Sequence, residues 1–296
     1  MSLPPAVYEL LAAPGAFALA ALHARRALGS GRAAVELLAL VAYGYGLERT
    51  AIAAFTSHDY GHAWRSAMGG VPVAVAATWS AVIVAAMALA SRLARSSVGR
   101  AAAAALIGIS LDLLMEPVAV RAGLWRWTPP GPWLDVPVGN FVGWTVIMGA
   151  YTFGAERWSG SGTLAAQAVR RLALGGAAVG VLLAVGAVWR GLGAERLFSG
   201  SHGWAAWGFL LAATAVTALR PRSSRENAPR ASAGEPPERG LAARLGAAGG
   251  RLPASVLLLL TAVFATDAMA QGDARLALVA LGSAGVLAAV AGRAAT

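Results

Sequence analysis

A chain of 296 residues that is 57% hydrophobic and 13% charged falls well short of the roughly one-quarter charged content of soluble domains. Its net charge of +10 comes from arginine with no lysine. The absence of cysteine excludes disulfides, thiolate catalysis and cysteine-held metals. The arginines fall in short loops between apolar runs, which is the topogenic pattern of a membrane protein and not a nucleic-acid footprint.

In chain order, apolar runs long enough to span a bilayer lie near 5–24, 33–56, 71–91, 101–120, 136–154, 171–192, 202–219, 253–270 and 274–292. They predict an all-α fold, a polytopic transmembrane helical bundle of about nine spans: a seven-helix core plus a C-terminal helix pair. Pro14 and Gly15 interrupt the first run. It lacks the basic start and cleavage site of a signal peptide and is read as a helix. The core occupies 1–219. The Arg-, Pro- and Ser-rich stretch 220–252 reads as a disordered cytoplasmic linker, and 253–296 as an appended helix pair. Asp267 and Asp273 in that pair read as loop solvation.

Arg25, Arg26 and Arg32 mark the first loop, Arg92, Arg95 and Arg100 the third, and Arg157, Arg170 and Arg171 the fifth. The positive-inside bias puts these loops in the cytoplasm and loops two, four and six on the opposite face. The expected location is the bacterial inner (cytoplasmic) membrane. Nine of the ten tryptophans map to the non-cytoplasmic half, with Trp158 the exception. Such one-sidedness fits either an aromatic-lined site or an uneven interfacial belt.

Two segments echo each other. Residues 71–79 read VPVAVAATW and 136–144 read VPVGNFVGW. Each follows a span with an embedded acid, Glu48 or Glu116. A duplicated two-helix hairpin would place a site at the repeat interface; chance recurrence in a biased composition is the alternative. Both glutamates lie about 22 Å along their helices from the arginine-rich end. Asp112 lies one turn from Glu116 on the same helix face. Three carboxylates are thus expected to face one cavity, and an acid at that depth is a functional hypothesis by default. Glu48 could instead pair with Arg49, and Asp112 and Glu116 could simply join helices by hydrogen bonds. Gly44, Gly46, Gly143 and Gly149 read as close helix contacts.

The run from Asp112 to Trp144 holds an acid, Glu116-Pro117-Val118-Ala119, Gly123-Leu124-Trp125-Arg126-Trp127, Val136-Pro137, Asn140-Phe141 and Gly143-Trp144. It resembles the carotenoid biosynthesis family of integral membrane proteins, which includes carotenoid C-1′ (1,2-) hydratases. A looser match takes in Glu48, Tyr60-Gly61, Gly70-Val71-Pro72 and Trp79, so the resemblance covers about 36–151. This chain departs from the family pattern at Glu116, where aspartate is more usual. It also departs at Trp133-Leu134-Asp135 in place of Tyr-Tyr-Gly, and at SHDYGHAW in loop two.

The resemblance implies cofactor-free, acid-catalysed addition of water to a terminal isoprenoid double bond of an acyclic carotenoid end, giving a tertiary alcohol. The implied partners are the carotenoid, membrane lipid and other carotenoid-pathway membrane enzymes. The chemistry needs a protonated buried acid, a second carboxylate to activate water, and aromatic faces for a carbocation. Glu48, Asp112 and Glu116 are the candidate catalytic residues, with Glu116 or Asp112 as acid and Glu48 as partner. Tyr60, Trp125, Trp127, Asn140 and Trp144 are the candidate substrate-binding residues. No metal is expected. His58 and His62 have ligand spacing on a helix but fall in a loop beside Gly61. A non-catalytic carotenoid-binding protein and a small-molecule transporter are the competing readings.

Overall fold

The computed structural model describes residues 2–295 apart from 62, 63, 159, 161, 195 and 197–239. Helix α1 (Pro5–Leu28) runs through the Pro14–Gly15 interruption by widening. Residues Tyr8–Ala12 form a π turn, closed by the Ala13 N–H on the Tyr8 carbonyl. Pro14 has no N–H for the Leu10 carbonyl and its ring crowds that carbonyl, so the turn before it opens. Helix α2 (Ser30–Phe55) ends where Thr56 turns left-handed, at φ 47°. The two echoing segments both start helices immediately after their proline: α3 (Val73–Leu93) and α5 (Val138–Arg157).

Between them α4 (Ser97–Arg121) is capped by the Ser96 hydroxyl on the Gly99 N–H and carries Pro117 inside it. Pro117 deprives the Leu113 carbonyl of its helical donor. The Trp133 indole N–H supplies one instead, at 3.3 Å. Helix α6 (Leu164–Gly191) follows, capped by Thr163. The described chain resumes with α7 (Leu241–Ala247), α8 (Leu252–Gln271) and α9 (Ala274–Ala295). Eight of the nine expected spans coincide with helices; the seventh, 202–219, lies outside the described residues.

Among the described residues, six helices are long and apolar enough to cross a membrane: α1, α3, α4, α6, α8 and α9. The chain is therefore an integral membrane protein. The more polar α2 is 26 residues long, about 39 Å at the helical rise, and runs beside these helices with Glu36 and Glu48 buried. Helix α3 is the hub, packing against α1, α2, α4, α7 and α8, while α5 lies along α4 and α6 closes against α2 and α5. Buried inside one another, α2, α5 and α6 are locked by an ion pair. Arg171 Nε donates to Glu36 Oε2 at 2.7 Å, and the Tyr151 hydroxyl donates to Glu36 Oε1 at 3.0 Å.

The C-terminal helices are no appendage. Helix α8 packs on α1, α3 and α4, and α9 on α4. Asp267, expected in a solvated loop, is fully buried and accepts the Tyr8 hydroxyl at 2.5 Å and the Leu3 N–H at 2.7 Å. A buried carboxyl needs such donors, and the first turn of α1 provides them. Asp273 does lie in the connecting loop, where Arg121 pairs with it at 2.8 Å. Part of the stretch 220–252, expected to be a disordered linker, is ordered. Residues 241–247 form α7, which buries Leu241, Ala242 and Leu245. Glu156 anchors its start through the N–H groups of Ala242 and Ala243, and is itself paired with Arg100. His23 is buried against the Leu245 carbonyl at 3.0 Å.

At the other end of the bundle, loops two and four meet as expected. Strand β1 (His58–Asp59) pairs antiparallel with β4 (Arg126–Trp127), with His58 opposite Trp127 and Asp59 opposite Arg126. A second ribbon joins β2 (Ala67–Met68) to β3 (Val71–Pro72). Glu9 of α1 pins this loop by accepting the Arg65 and Ser66 N–H groups at 3.0 and 2.7 Å.

Candidate active site

Glu48 sits two turns before the end of α2, facing into the bundle. Its Oε1 accepts the Trp79 indole N–H at 2.6 Å and its Oε2 lies 3.0 Å from His58 Nε2. The Tyr60 hydroxyl is turned to the same carboxyl. Arg49 points away and donates to the Gly69 carbonyl, so Glu48 is not paired with its neighbour. His58 is placed by the β1–β4 ribbon and held on its other side by the Ser57 hydroxyl, 2.9 Å from Nδ1. Burial alone would lower the His58 pKa. The hydrogen bond and charge of Glu48, with Glu116 and Asp59 beyond, outweigh burial and raise it. Tyr60 is pushed well above the ordinary phenol range by burial and by the nearby glutamates.

Glu116 mirrors Glu48 from α4. Its Oε2 accepts two indole N–H groups, Trp125 at 2.8 Å and Trp127 at 2.9 Å. Those rings come from loop four, folded back over the helix end. Asp112, one turn away, accepts Asn140 Nδ2 of α5 at 2.8 Å. Its other oxygen, Oδ1, is buried without a hydrogen-bond partner.

Between these groups lies a cavity of about 420 Å³. Glu48, Tyr60, Glu116, Trp125, Trp127, Asn140 and Trp144 all line it, as do His58 and Trp79. The expectation that three carboxylates face one cavity holds for two. Asp112 is fully buried behind Asn140: a turn earlier in α4, the facing helix α5 fills the space. Five tryptophans, Tyr60 and Phe55 stand in the wall among aliphatic, proline and glycine residues. Trp79 and Trp144 lie with centroids 4.2 Å apart, and Tyr60 stands edge-on to Trp125 at 5.7 Å. The remaining wall is α2 and α6, where Gly186 admits Phe55 and Arg190 caps the Phe55 ring at 4.5 Å.

Sequence reasoning missed Ser57 and His58 as partners of Glu48, and gave Trp79 no role beyond the echo. The signal was the Ser-His pair in loop two, but only strand pairing with loop four turns it inward. His58 is engaged by Glu48 and Ser57; His62 and His202 lie outside the described residues. Among those described, no group of three or more His, Asp and Glu side chains is arranged to hold a metal. Of the four glycines read as helix contacts, Gly44 is one: a Cβ there would meet the Trp79 Cβ at 2.7 Å. Gly143 faces Leu182 at ordinary contact distance, and nothing lies near Gly46 or Gly149.

Residues 6–199 match the family described as carotenoid biosynthesis protein. The chain belongs to this family. The match spans every described residue that lines the cavity, from Leu47 to Arg190, and stops before α7, α8 and α9. Comparison with curated proteins and with solved structures gives no match. Membership assigns the chain to carotenoid biosynthesis, and a long apolar polyene suits a cavity walled by indoles inside a membrane bundle.

Proposed function

We propose that the protein is a carotenoid hydratase, adding water to the terminal isoprenoid double bond of an acyclic carotenoid end. The observation that carries this reading is the pair Glu48 and Glu116 across one tryptophan-walled cavity, each held by indole N–H groups and differing in their remaining partners.

Glu116 is the proton donor. Its donors are neutral and both fall on one oxygen, leaving the other for the substrate. Glu116 and Asp112 sit one turn apart inside the bundle, and two such carboxyls hold at least one proton between them, since burying two full charges is costly. Transfer of that proton to the alkene carbon that bears hydrogen leaves a tertiary cation at the neighbouring carbon, which bears two methyl groups. The faces of Trp79, Trp125, Trp127 and Trp144 stabilise it by attraction to the ring quadrupole. Water adds to the cation and Glu48 takes the released proton, giving the tertiary alcohol. The proton then returns from Glu48 to Glu116 across the cavity, so the sum is alkene plus water with no oxidant or reductant. Tyr60 and Asn140 orient the water, and Asp112 holds Asn140. The active end of the bundle faces the non-cytoplasmic side, with the arginine-rich end inside.

The test is a mass spectrum of pigments from a host that makes acyclic carotenoids, with and without this chain. A pigment heavier by one water supports hydration. Unchanged pigment that co-purifies with the protein identifies a carotenoid-binding protein instead, and solute flux in vesicles a transporter. Glu116→Gln is expected to abolish the product while pigment still binds; full activity in this variant removes the acid assignment.

A further inference from the structure

The two hairpins present their glutamates with a common feature, and the cation beside one of them sets them apart. Glu48 accepts one indole N–H, and Glu116 two, from tryptophans of their own hairpin. Among the described residues, only Glu48 also meets an imidazole, His58, at 3.0 Å. We propose that His58 is the positioning residue that divides the labour of the two glutamates, serving as a fixed cation that commits Glu48 to the carboxylate form and so to the role of base. This inference rests on the hydratase reading for its catalytic consequence, but not for its ionic one.

The geometry supports it from several sides. His58 is 7% exposed and both ring nitrogens are engaged, Nε2 by Glu48 and Nδ1 by Ser57. An imidazolium donates from both nitrogens, and a carboxylate and a hydroxyl oxygen are the two acceptors it meets here. The ring cannot swing away, because Tyr60 stands edge-on to it at 5.1 Å and Trp127 leans on it at 4.9 Å. The charged and titratable groups that face it are Glu48 from α2, Glu116 from α4, Asp59 on its own strand and Tyr60 beyond the strand. Arg126, the cation opposite Asp59 on β4, is spent on Asp59 at 3.3 Å. Among the described residues, Glu116 has no comparable cation in hydrogen-bond contact, its bonds being to Trp125 and Trp127. Of the two indole-held glutamates, the one that meets this loop histidine is thus set apart by a cation. Two like acids in one cavity acquire opposite duties when their surroundings differ in this way.

The experiment has two arms. In the first, protein labelled with ¹⁵N-histidine is titrated by NMR, with the four histidines resolved by comparison with His58→Gln. His58 is expected to remain an imidazolium to a more alkaline pH than an ordinary histidine, and Glu48→Gln is expected to shift that titration by one pH unit or more toward acid. An unshifted titration overturns the proposal. In the second arm, hydration kcat is followed against pH. Wild type is expected to lose activity as His58 loses its proton. His58→Gln is expected to be at least tenfold slower, with that alkaline limb gone, while His58→Lys recovers part of the rate by restoring a cation. A wild-type kcat and pH profile in His58→Gln overturns the proposal. A wild type that yields no hydrated product removes the hydratase reading, and the labelled-histidine arm then decides the ionic pairing by itself.

Discussion

The indole rings of Trp79 and Trp144 lie 4.2 Å apart at 34°, although 65 residues separate them. They close the two V-P-V-x5-W echoes and bring the two hairpins together at the cavity wall. Their roles differ, since Trp79 also donates to Glu48. Trp79→Phe is expected to keep the ring contact but cost about 1.5–3 kcal/mol by removing a hydrogen bond to a charged group, and to slow hydration sharply. Trp144→Phe is expected to cost less and leave the Glu48 contact intact. Thermal unfolding in detergent and product yield check both. Equal effects of the two variants would deny the distinction.

Gly44 fixes how closely α2 approaches α3. Its missing Cβ leaves room for Trp79, since one built there would lie 2.7 Å from the Trp79 Cβ and 3.2 Å from the Ala76 carbonyl. Gly44→Ala is expected to destabilise by about 1–3 kcal/mol through overpacking and to lower activity by moving the indole off Glu48. Gly46→Ala, with nothing near, is the control and is expected to be silent. Unfolding midpoints of the two variants provide the comparison.

The legible part of this fold follows from solvent. A run of apolar residues that must satisfy its backbone in lipid has only the helix available to it, so the spans could be read even where Glu48 or Asp112 interrupted them. The acids and tryptophans were legible as a group because polarity at that depth is costly. What escaped was set by contacts between distant segments. His58 reaches Glu48 only because two-residue strands in loops two and four pair, and such short ribbons leave no periodicity. Asp267 looked like a loop acid because nothing in its neighbourhood shows that the start of α1 lands on it. Asp112 was placed in the cavity by helical spacing, which fixes its face but not what the facing helix puts before it.

Asp112 and Asn140 offer a way to separate support from chemistry. Asp112 reaches the cavity only through Asn140, whereas Glu116 lines it. If Asn140 orients the water as proposed, Asn140→Ala is expected to lower the rate about 100-fold, the low end of the range for positioned proton-transfer groups. Asp112→Asn is expected to behave like Asn140→Ala, and the double variant to be no worse than either, because the two act as one unit. Glu116→Gln is expected to be far slower than any of these. Product formation per hour, normalised to bound pigment, measures the series. Additive losses for Asp112 and Asn140 would show that Asp112 acts on its own.

The His58–Glu48 pair also predicts a pH dependence of stability. The folded state raises the His58 pKa above its ordinary value, so folding takes up a proton there. By linkage that contribution is fully present below the ordinary imidazole value of about 6.5 and is lost as pH rises through the raised value. The unfolding midpoint of wild type is therefore expected to exceed that of His58→Gln most at acid pH, with the gap narrowing toward alkaline pH. A gap that widened with pH would mean that His58 is buried neutral.

The junction between α1 and α8 ties the family-matched core to helices beyond it. Asp267 is fully buried, and its two donors are the Tyr8 hydroxyl and the Leu3 N–H. Tyr8→Phe removes one donor and leaves the carboxyl partly satisfied, which is expected to cost about 1–3 kcal/mol. Asp267→Asn keeps an acceptor but adds an amide N–H that must find a partner, so a similar loss is expected. Asp267→Leu removes the buried polar group, and replacing such a group by an apolar one of similar size is often close to neutral only when its partners are also changed. The double variant Tyr8→Phe with Asp267→Leu is therefore expected to be more stable than Asp267→Leu alone. Because Glu9, the neighbour of Tyr8, pins the loop that carries Tyr60, loosening this junction should also raise KM. An unfolding midpoint for the double variant below that of either single variant would show that the pair contributes more than its hydrogen bond.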